Sequence, residues 1–151
     1  MTPHKQLIKH DPKNDAYGDC WRTCIACLLD LHPSQVPHFC ADGVSQATAD
    51  ADCRAWLKER GYNLVRTCMF AKYSEMAADW FGEAMYILCG ASPNHPGVGH
   101  CVIGRGGFEI VWDVGQSGAG LAGPWVDDNG NGIYWCEFIV PRAEMVLLEA
   151  A

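Results

Sequence analysis

One stretch constrains this chain more than any other: Gly18 to Leu31, GDCWRTCIACLLDL. Its apolar residues fall at Cys20, Cys24, Cys27, Leu28 and Leu31. That i, i+4, i+7, i+8, i+11 comb marks one face of a helix packed on a core. Gly18 is expected to let the backbone turn sharply, and Asp19 to accept N–H bonds as the N-cap, which puts Cys20 on the first turn. Unpaired N–H groups and the positive end of the helix dipole favour a thiolate there. Cys24 and Cys27 lie one and two turns deeper, where the dipole is spent, and read as small core residues.

Two other readings of the same cysteines compete with a nucleophile. Cys20-x3-Cys24-x2-Cys27 copies the spacing with which some enzymes hold an iron–sulfur cluster, but such ligands sit on a loop that wraps the metal, and this segment has the period of a regular helix. Three core cysteines with no chemistry are the plainer alternative, since free cysteine is among the most buried residue types. The chain has 151 residues, enough for one domain over residues 1–151 that buries about 70% of its unfolded surface. Eleven Lys and Arg against 18 Asp and Glu leave a formal charge of −7, which repels phosphate backbones and anionic lipid and argues against nucleic-acid and membrane partners. Nine cysteines, an odd number, and an N-terminus MTPHKQLIKHD without an apolar run lead to the expectation of a reducing, cytoplasmic setting, the host cytoplasm if the chain is phage-encoded. No run of about 18 apolar residues is present to span a membrane.

In chain order, residues 1 to 17 carry Pro3, Pro12 and polar residues without a period, and predict an extended arm or loop. His32-Pro33 ends the cysteine helix, and Val36 and Phe39 in the following turn are placed to plug the core. Ser45 caps a second helix, Gln46 to Arg60, with Ala49, Cys53, Trp56 and Leu57 on its buried side and Gly61 closing it. Asn63 to Cys68 and Met85 to Cys89 read as strands around a short helix near Ser74 to Trp80. His100 to Arg105, a Gly106-Gly107 turn and Phe108 to Val114 form a β-hairpin signal, and Ile133 to Val140 is the last strand, entered through a glycine-rich loop from Gly115 to Gly132. Helices first and strands afterwards predict an α+β fold with a mostly antiparallel sheet.

A cysteine nucleophile needs a base, and the base an orienting group, near in space rather than in sequence. His100 opens the first hairpin strand and Asp113 ends the second, so both lie at one edge of the hairpin. Packing the Cys20 helix across that sheet brings its N-terminus to the same edge, giving Cys20, His100 and Asp113 as nucleophile, base and orienter. His38 and His95 read as loop residues. Asp127-x-Asn129-x-Asn131-Gly132 imitates half of a calcium loop, but Phe138 stands where a bidentate Glu is required, so a turn into the last strand is expected. No Cys/His spacing forms a zinc site.

GDCWRTCIACLLDLHPSQVPHF, followed by ILCGASPNHPGVGHCVIGRGGFEIVWDVGQSGAGL, resembles the small papain-like cysteine hydrolases of bacteria and their phages, relatives of the bacteriocin leader-processing peptidases. The shared pattern is a Gly-x-Cys helix start, a Val-Pro-x-Phe turn, a Gly-x-Ser-Pro loop, a His strand and an Asp strand, over roughly residues 18 to 121. The resemblance implies a papain-like fold, with an N-terminal catalytic helix on the sheet, Cys20 as nucleophile, His100 as general base and acid, Asp113 as orienter and no cofactor. It also implies an oxyanion hole built from the nucleophile's N–H and an upstream amide side chain. Gln6 has the family's side chain; Asn14, six residues before Cys20, has the papain-like spacing. Val114 departs from the pattern, since relatives carry proline there. The expected function is a thiol hydrolase of a peptide, isopeptide or side-chain amide bond, acting on a protein or peptide through an acyl-thioester. The alternative is a binding or inhibitory module on the same fold.

Overall fold

The computed structural model describes residues 1–41 and 43–143. Helix α1 spans Cys20–Leu28, α2 Gln46–Glu59 and α3 Ser74–Phe81; strands are β1 Tyr62–Phe70, β2 Met85–Ala91, β3 Gly99–Arg105, β4 Glu109–Trp112, β5 Trp125–Val126 and β6 Gly132–Pro141. The architecture is α+β, and every strand pair is antiparallel, in the order β1-β6-β2-β3-β4 with β5 on β6.

The sheet is covered on both faces because its central strands are apolar at consecutive positions, and successive side chains point to opposite sides. Ile87 and Ile103 face α1 and α2, where they join Cys24, Ile25, Cys27, Val36, Phe39, Cys53, Leu57 and Leu64. Tyr86, Leu88 and Val102 face the other way and pack with Ala77 of α3, Met69 and Cys136. The comb read from α1 understates its burial. Trp21, Thr23 and Ile25 are covered as well as Cys24 and Cys27, because α2 and the N-terminal arm close over the sides that the sheet leaves open.

Ser45 caps α2 by accepting from Thr48 N, and Gly61 closes it at φ +80°, a backbone angle that glycine adopts without strain. Trp56 is only partly buried, packed edge-on against Phe39. The hairpin differs from expectation in its second strand, which begins at Glu109 and stops at Trp112. Phe108 belongs to the turn, at φ 73°, and a bulge sits between Ile103 and Gly104. Asp113 and Val114 therefore lie just past the strand. The glycine-rich loop contains the short strand β5, which no alternation announced. The tail from residue 144 lies outside the described residues.

Two local roles also need correction. Gly18 keeps an ordinary φ; what it supplies is closeness, since a Cβ there would lie 2.9 Å from the Cβ of His10. Asp19 occupies the N-cap position of α1 without capping it. Its buried carboxylate reaches sideways instead, accepting from Ile8 N at 2.9 Å, Leu7 N at 3.3 Å and Arg22 at 2.8 Å. Asp19 thus ties the N-terminal arm to the helix start. No helix among the described residues is long and apolar enough to cross a membrane.

Candidate active site

Cys20 is the first residue of α1, at the positive end of the helix dipole, and is partly exposed. α1 lies across β2 and β3, so its N-terminus arrives at the end of β3 where His100 stands. The Cys20 thiol and the His100 ring line one cavity and act on each other, lowering the pKa of the thiol and raising that of the imidazole. His100 Nε2 is 2.8 Å from Asp113 Oδ1, which leaves Nδ1 as the ring nitrogen for sulfur. The structure thus brings together the three residues that the hairpin and the helix start singled out.

Asp113 is held from several sides. Its Oδ1 also accepts from Gly115 N at 2.7 Å, and its Oδ2 from Gly120 N at 2.8 Å. Burial works against the charge, yet the bonds from His100, Gly120 and Gly115 outweigh it and keep the carboxyl below its ordinary range. For His100, burial pulls the imidazole down, while Cys20 and Asp113 pull harder and leave it above its usual value. Cys20 moves the other way. A hydrogen bond from Cys101 is the largest cause, burial opposes it, and His100 adds its bond and charge, so the thiol is far more acidic than a free cysteine.

Gly115 is small for a reason of space. A Cβ there would come within 3.0 Å of Asp113 Oδ1 and 3.1 Å of His100 Nε2. Lys5 fixes the same corner, donating from Nζ to the carbonyls of Asp113 and Gly115, each at 2.7 Å, with its ammonium 4.7 Å from the ring centre of Trp112.

The two amide candidates separate. Gln6 is buried, with its N–H on Val114 O at 2.9 Å, and it lines a cavity together with Cys20 and His100. Its Nε2 donates to Ile8 O at 3.1 Å, which occupies one of its two amide hydrogens. Asn14 is exposed and gives its amide to Asp11 Oδ2 at 2.7 Å inside the 3-10 turn Pro12–Asn14. Asn14 keeps the papain-like spacing, but it lines neither of the cavities to which Cys20 belongs.

Two cavities meet at the sulfur. One, of about 460 Å³, runs past Trp21, Trp125 and Trp135 to Glu137 and Arg66; the other, of about 480 Å³, is lined by polar groups such as Gln6, His95, His100 and Gln116. Tyr17, Gly18, Cys20 and Gly99 belong to both. The floor of the first is a buried network: Glu137, 3% exposed, accepts from Trp21 Nε1 and Arg66 Nε at 2.6 Å each, and Arg66 NH2 donates to Asp50 at 2.8 Å.

The other sequence candidates fall into place around this centre. Cys24 and Cys27 are fully buried on a regular helix, so the Cys-x3-Cys-x2-Cys spacing marks core positions rather than a wrapped metal. His38 bonds Tyr17 O, and Asp127 Oδ1 accepts from Asn129 N and Asn131 N in a turn that enters β6. Cys101, Lys5 and Gly115 were missed, although Cys101 follows His100 and the hairpin of β2 and β3 sets it opposite Cys89.

The fold and site define an α+β chain with an acidic cysteine at a helix N-terminus, beside a histidine that a carboxylate holds in place. Searches of protein-family models, curated proteins and solved structures give no significant match to this chain.

Proposed function

We propose that the chain is a papain-like thiol hydrolase in which Cys20 attacks the carbonyl carbon of a peptide, isopeptide or side-chain amide. One observation carries this reading: the acidic Cys20 thiol at the start of α1 contacts His100, whose far nitrogen is 2.8 Å from Asp113, and this occurs where two cavities meet. Both shifts, down for the Cys20 thiol and up for the His100 imidazole, favour the charged pair from which the reaction starts, thiolate and imidazolium. Attack forms a C–S bond and moves the carbonyl π electrons onto oxygen. The oxyanion is met by the Cys20 N–H at the open end of α1 and by the second amide hydrogen of Gln6. His100 gives its proton to the departing amine as the C–N bond breaks, leaving an acyl-thioester on Cys20. Water then enters, His100 removes its proton, and the C–S bond breaks to return the thiolate. Asp113 keeps the ring turned toward sulfur and stabilises its charged form throughout. The two cavities on either side of Cys20 suit a substrate that extends both ways from the scissile bond. A reducing, cytoplasmic setting belongs to the same proposal, since the reaction requires a free thiol.

Limiting iodoacetamide near neutral pH, followed by peptide mapping, tests it. Cys20 is expected to be modified first, and His100→Ala to remove that preference; uniform labelling of the cysteines would overturn the reading. A Cys20→Ser protein that keeps its biological effect would point instead to a binding module.

A further inference from the structure

Three sulfurs stand in a row at the end of the sheet. Cys89 on β2 and Cys101 on β3 are directly opposed in the ladder, with their Sγ atoms 2.8 Å apart, and Cys20 shares a cavity with Cys101 and interacts with it closely enough for each to shift the other's acidity. All three line the 460 Å³ cavity, so a small solute reaches them from solvent. The hydrolytic mechanism uses only Cys20. We propose that Cys20, Cys101 and Cys89 form a thiol relay that converts oxidation of Cys20 by a hydroperoxide into a cross-strand Cys89–Cys101 disulfide and returns Cys20 to its reduced form. The relay shares the acidic thiol with the proposed hydrolase but needs no hydrolytic step.

In the first step the Cys20 thiolate attacks the distal oxygen of ROOH, the O–O bond breaks, and RO⁻ leaves and is protonated; sulfur is oxidised by two electrons to the sulfenic acid and the peroxide is reduced to ROH. Cys101 then attacks the Cys20 sulfur, giving up its proton as the S–O bond breaks and water departs. This forms a Cys20–Cys101 disulfide. In the third step Cys89 attacks the Cys101 sulfur, loses its proton to solvent, and expels Cys20 as thiolate. The sum is two thiols plus ROOH giving one disulfide, ROH and water.

Direction follows from leaving-group chemistry. The more acidic thiol leaves faster, and Cys20 is the acidic member of the three; bonds with Cys20 and Cys89 together with burial hold Cys101 well above its ordinary value, while Cys89, which its bond with Cys101 lowers, is raised on balance by burial and neighbouring charge. Exchange therefore ends on the cross-strand pair. Directly opposed residues of an antiparallel ladder have Cα atoms about 4.5–5.5 Å apart, inside the range that a disulfide spans. Cys40 also lines the cavity, but no sulfur contact links it to the row. Its thiol is pushed up to about 12, chiefly by burial, and it takes no part.

The test is differential alkylation of the full chain after stoichiometric hydrogen peroxide. Free thiols are blocked with N-ethylmaleimide, disulfides are then reduced, and the released thiols are labelled with iodoacetamide before peptide mapping. In wild type the second label is expected on Cys89 and Cys101, with Cys20 carrying maleimide. In Cys89→Ser it moves to Cys20 and Cys101. In Cys101→Ser or Cys101→Ala, Cys20 is expected to accumulate sulfinic acid at least tenfold over wild type. Equal sulfinic acid in wild type and Cys101→Ser, a second label spread evenly over the cysteines, or a Cys20 that peroxide does not touch would each overturn the relay. The wild-type pattern decides the matter even where a variant folds poorly. A protein that hydrolyses nothing yet shows this pattern would refute the hydrolase and keep the relay.

Discussion

Gly115→Ala tests the site with one methyl group. The backbone at residue 115 is not in the left-handed region, so alanine adopts it without strain, and any effect comes from where its Cβ lies. That atom would be 3.0 Å from Asp113 Oδ1, 3.1 Å from His100 Nε2 and 3.3 Å from His100 Cε1, closer than comfortable carbon contacts to all three. Relief requires movement of a few tenths of an ångström by groups already fixed by a 2.8 Å bond between them and by a 2.7 Å bond from the Gly115 N–H itself. A misplacement of about 1 Å costs on the order of 100-fold in rate, so a shift of this size predicts roughly a tenfold loss, about 1.4 kcal/mol in the barrier. Stability should fall by less than about 1 kcal/mol, the lower end of what overpacking costs, because the corner borders a cavity rather than the core. Two readouts apply: the alkylation rate of Cys20 and the urea midpoint. Gly118→Ala is the control in the same loop. Its φ of +65° strains the chain, but its Cβ meets nothing within 4 Å. The control should lose about 1 kcal/mol of stability and keep the alkylation rate. If Gly115→Ala alkylates at the wild-type rate, the argument that His100 and Asp113 control the thiol through their spacing is refuted.

Other expectations follow from the same geometry. The pH profile of Cys20 alkylation should rise as the thiol ionises well below its ordinary value of 9.0, and its imidazolium-dependent part should fall only as pH passes above 6.5, where His100 deprotonates. Asp113→Asn removes a support of the imidazolium, so the alkaline limb should move to lower pH; a limb that stays in place would contradict the role of Asp113. In stability terms the lowered pKa of Asp113 contributes above its unfolded value of 3.8 and is lost as pH falls through the folded one. The raised pKa of His100 contributes below 6.5 and is lost as pH rises through its folded value. Lys5→Met keeps the stem over Trp112 but removes two bonds to the Asp113–Gly115 loop, and should slow Cys20 alkylation several-fold, with partial rescue by Lys5→Arg; an unchanged rate would make the contact merely structural. Glu137→Leu leaves the Trp21 N–H without its acceptor and Arg66 with Asp50 alone, and should cost about 3 kcal/mol by urea unfolding.

What the sequence reveals here is what local rules govern. The period of α1, the Ser45 cap and Gly61 stop of α2, and the glycine turn that returns β4 beside β3 are each written within a dozen residues. The proximity of Cys20, His100 and Asp113 was legible for the same reason: His100 and Asp113 are related by a hairpin, and Cys20 needs only a helix packed on it. The order β1-β6-β2 was not, because it pairs Tyr62 with Pro141 across about half of the chain, and no local signal carries that partner. Asp19 misled because a carboxylate before a helix ordinarily caps it, whereas here the returning arm offers Leu7 and Ile8 N–H groups and a nearby arginine. Lys5 was invisible for a related reason: its partners are backbone carbonyls more than a hundred residues away. Gln6 and Asn14 were separable only once the arm had a path.

Of the cysteines, burial makes most inert. Cys53 and Cys136 are pushed up to about 12, chiefly by desolvation, and Cys24 and Cys27 are raised in the core. Cys68 is the informative exception, since it is the exposed thiol of the set and its pKa is nonetheless raised. Accessibility alone therefore predicts that Cys68 reacts first, and acidity alone predicts Cys20. The two causes also differ in pH dependence. Cys68 labelling should climb steadily as pH rises toward and past 9.0, whereas Cys20 labelling should already be well advanced at neutral pH, so the ratio of Cys20 to Cys68 is largest near neutrality and shrinks on the alkaline side. A ratio that stays flat with pH would mean that exposure, and not the helix end with Cys101 and His100 around it, selects the reactive sulfur.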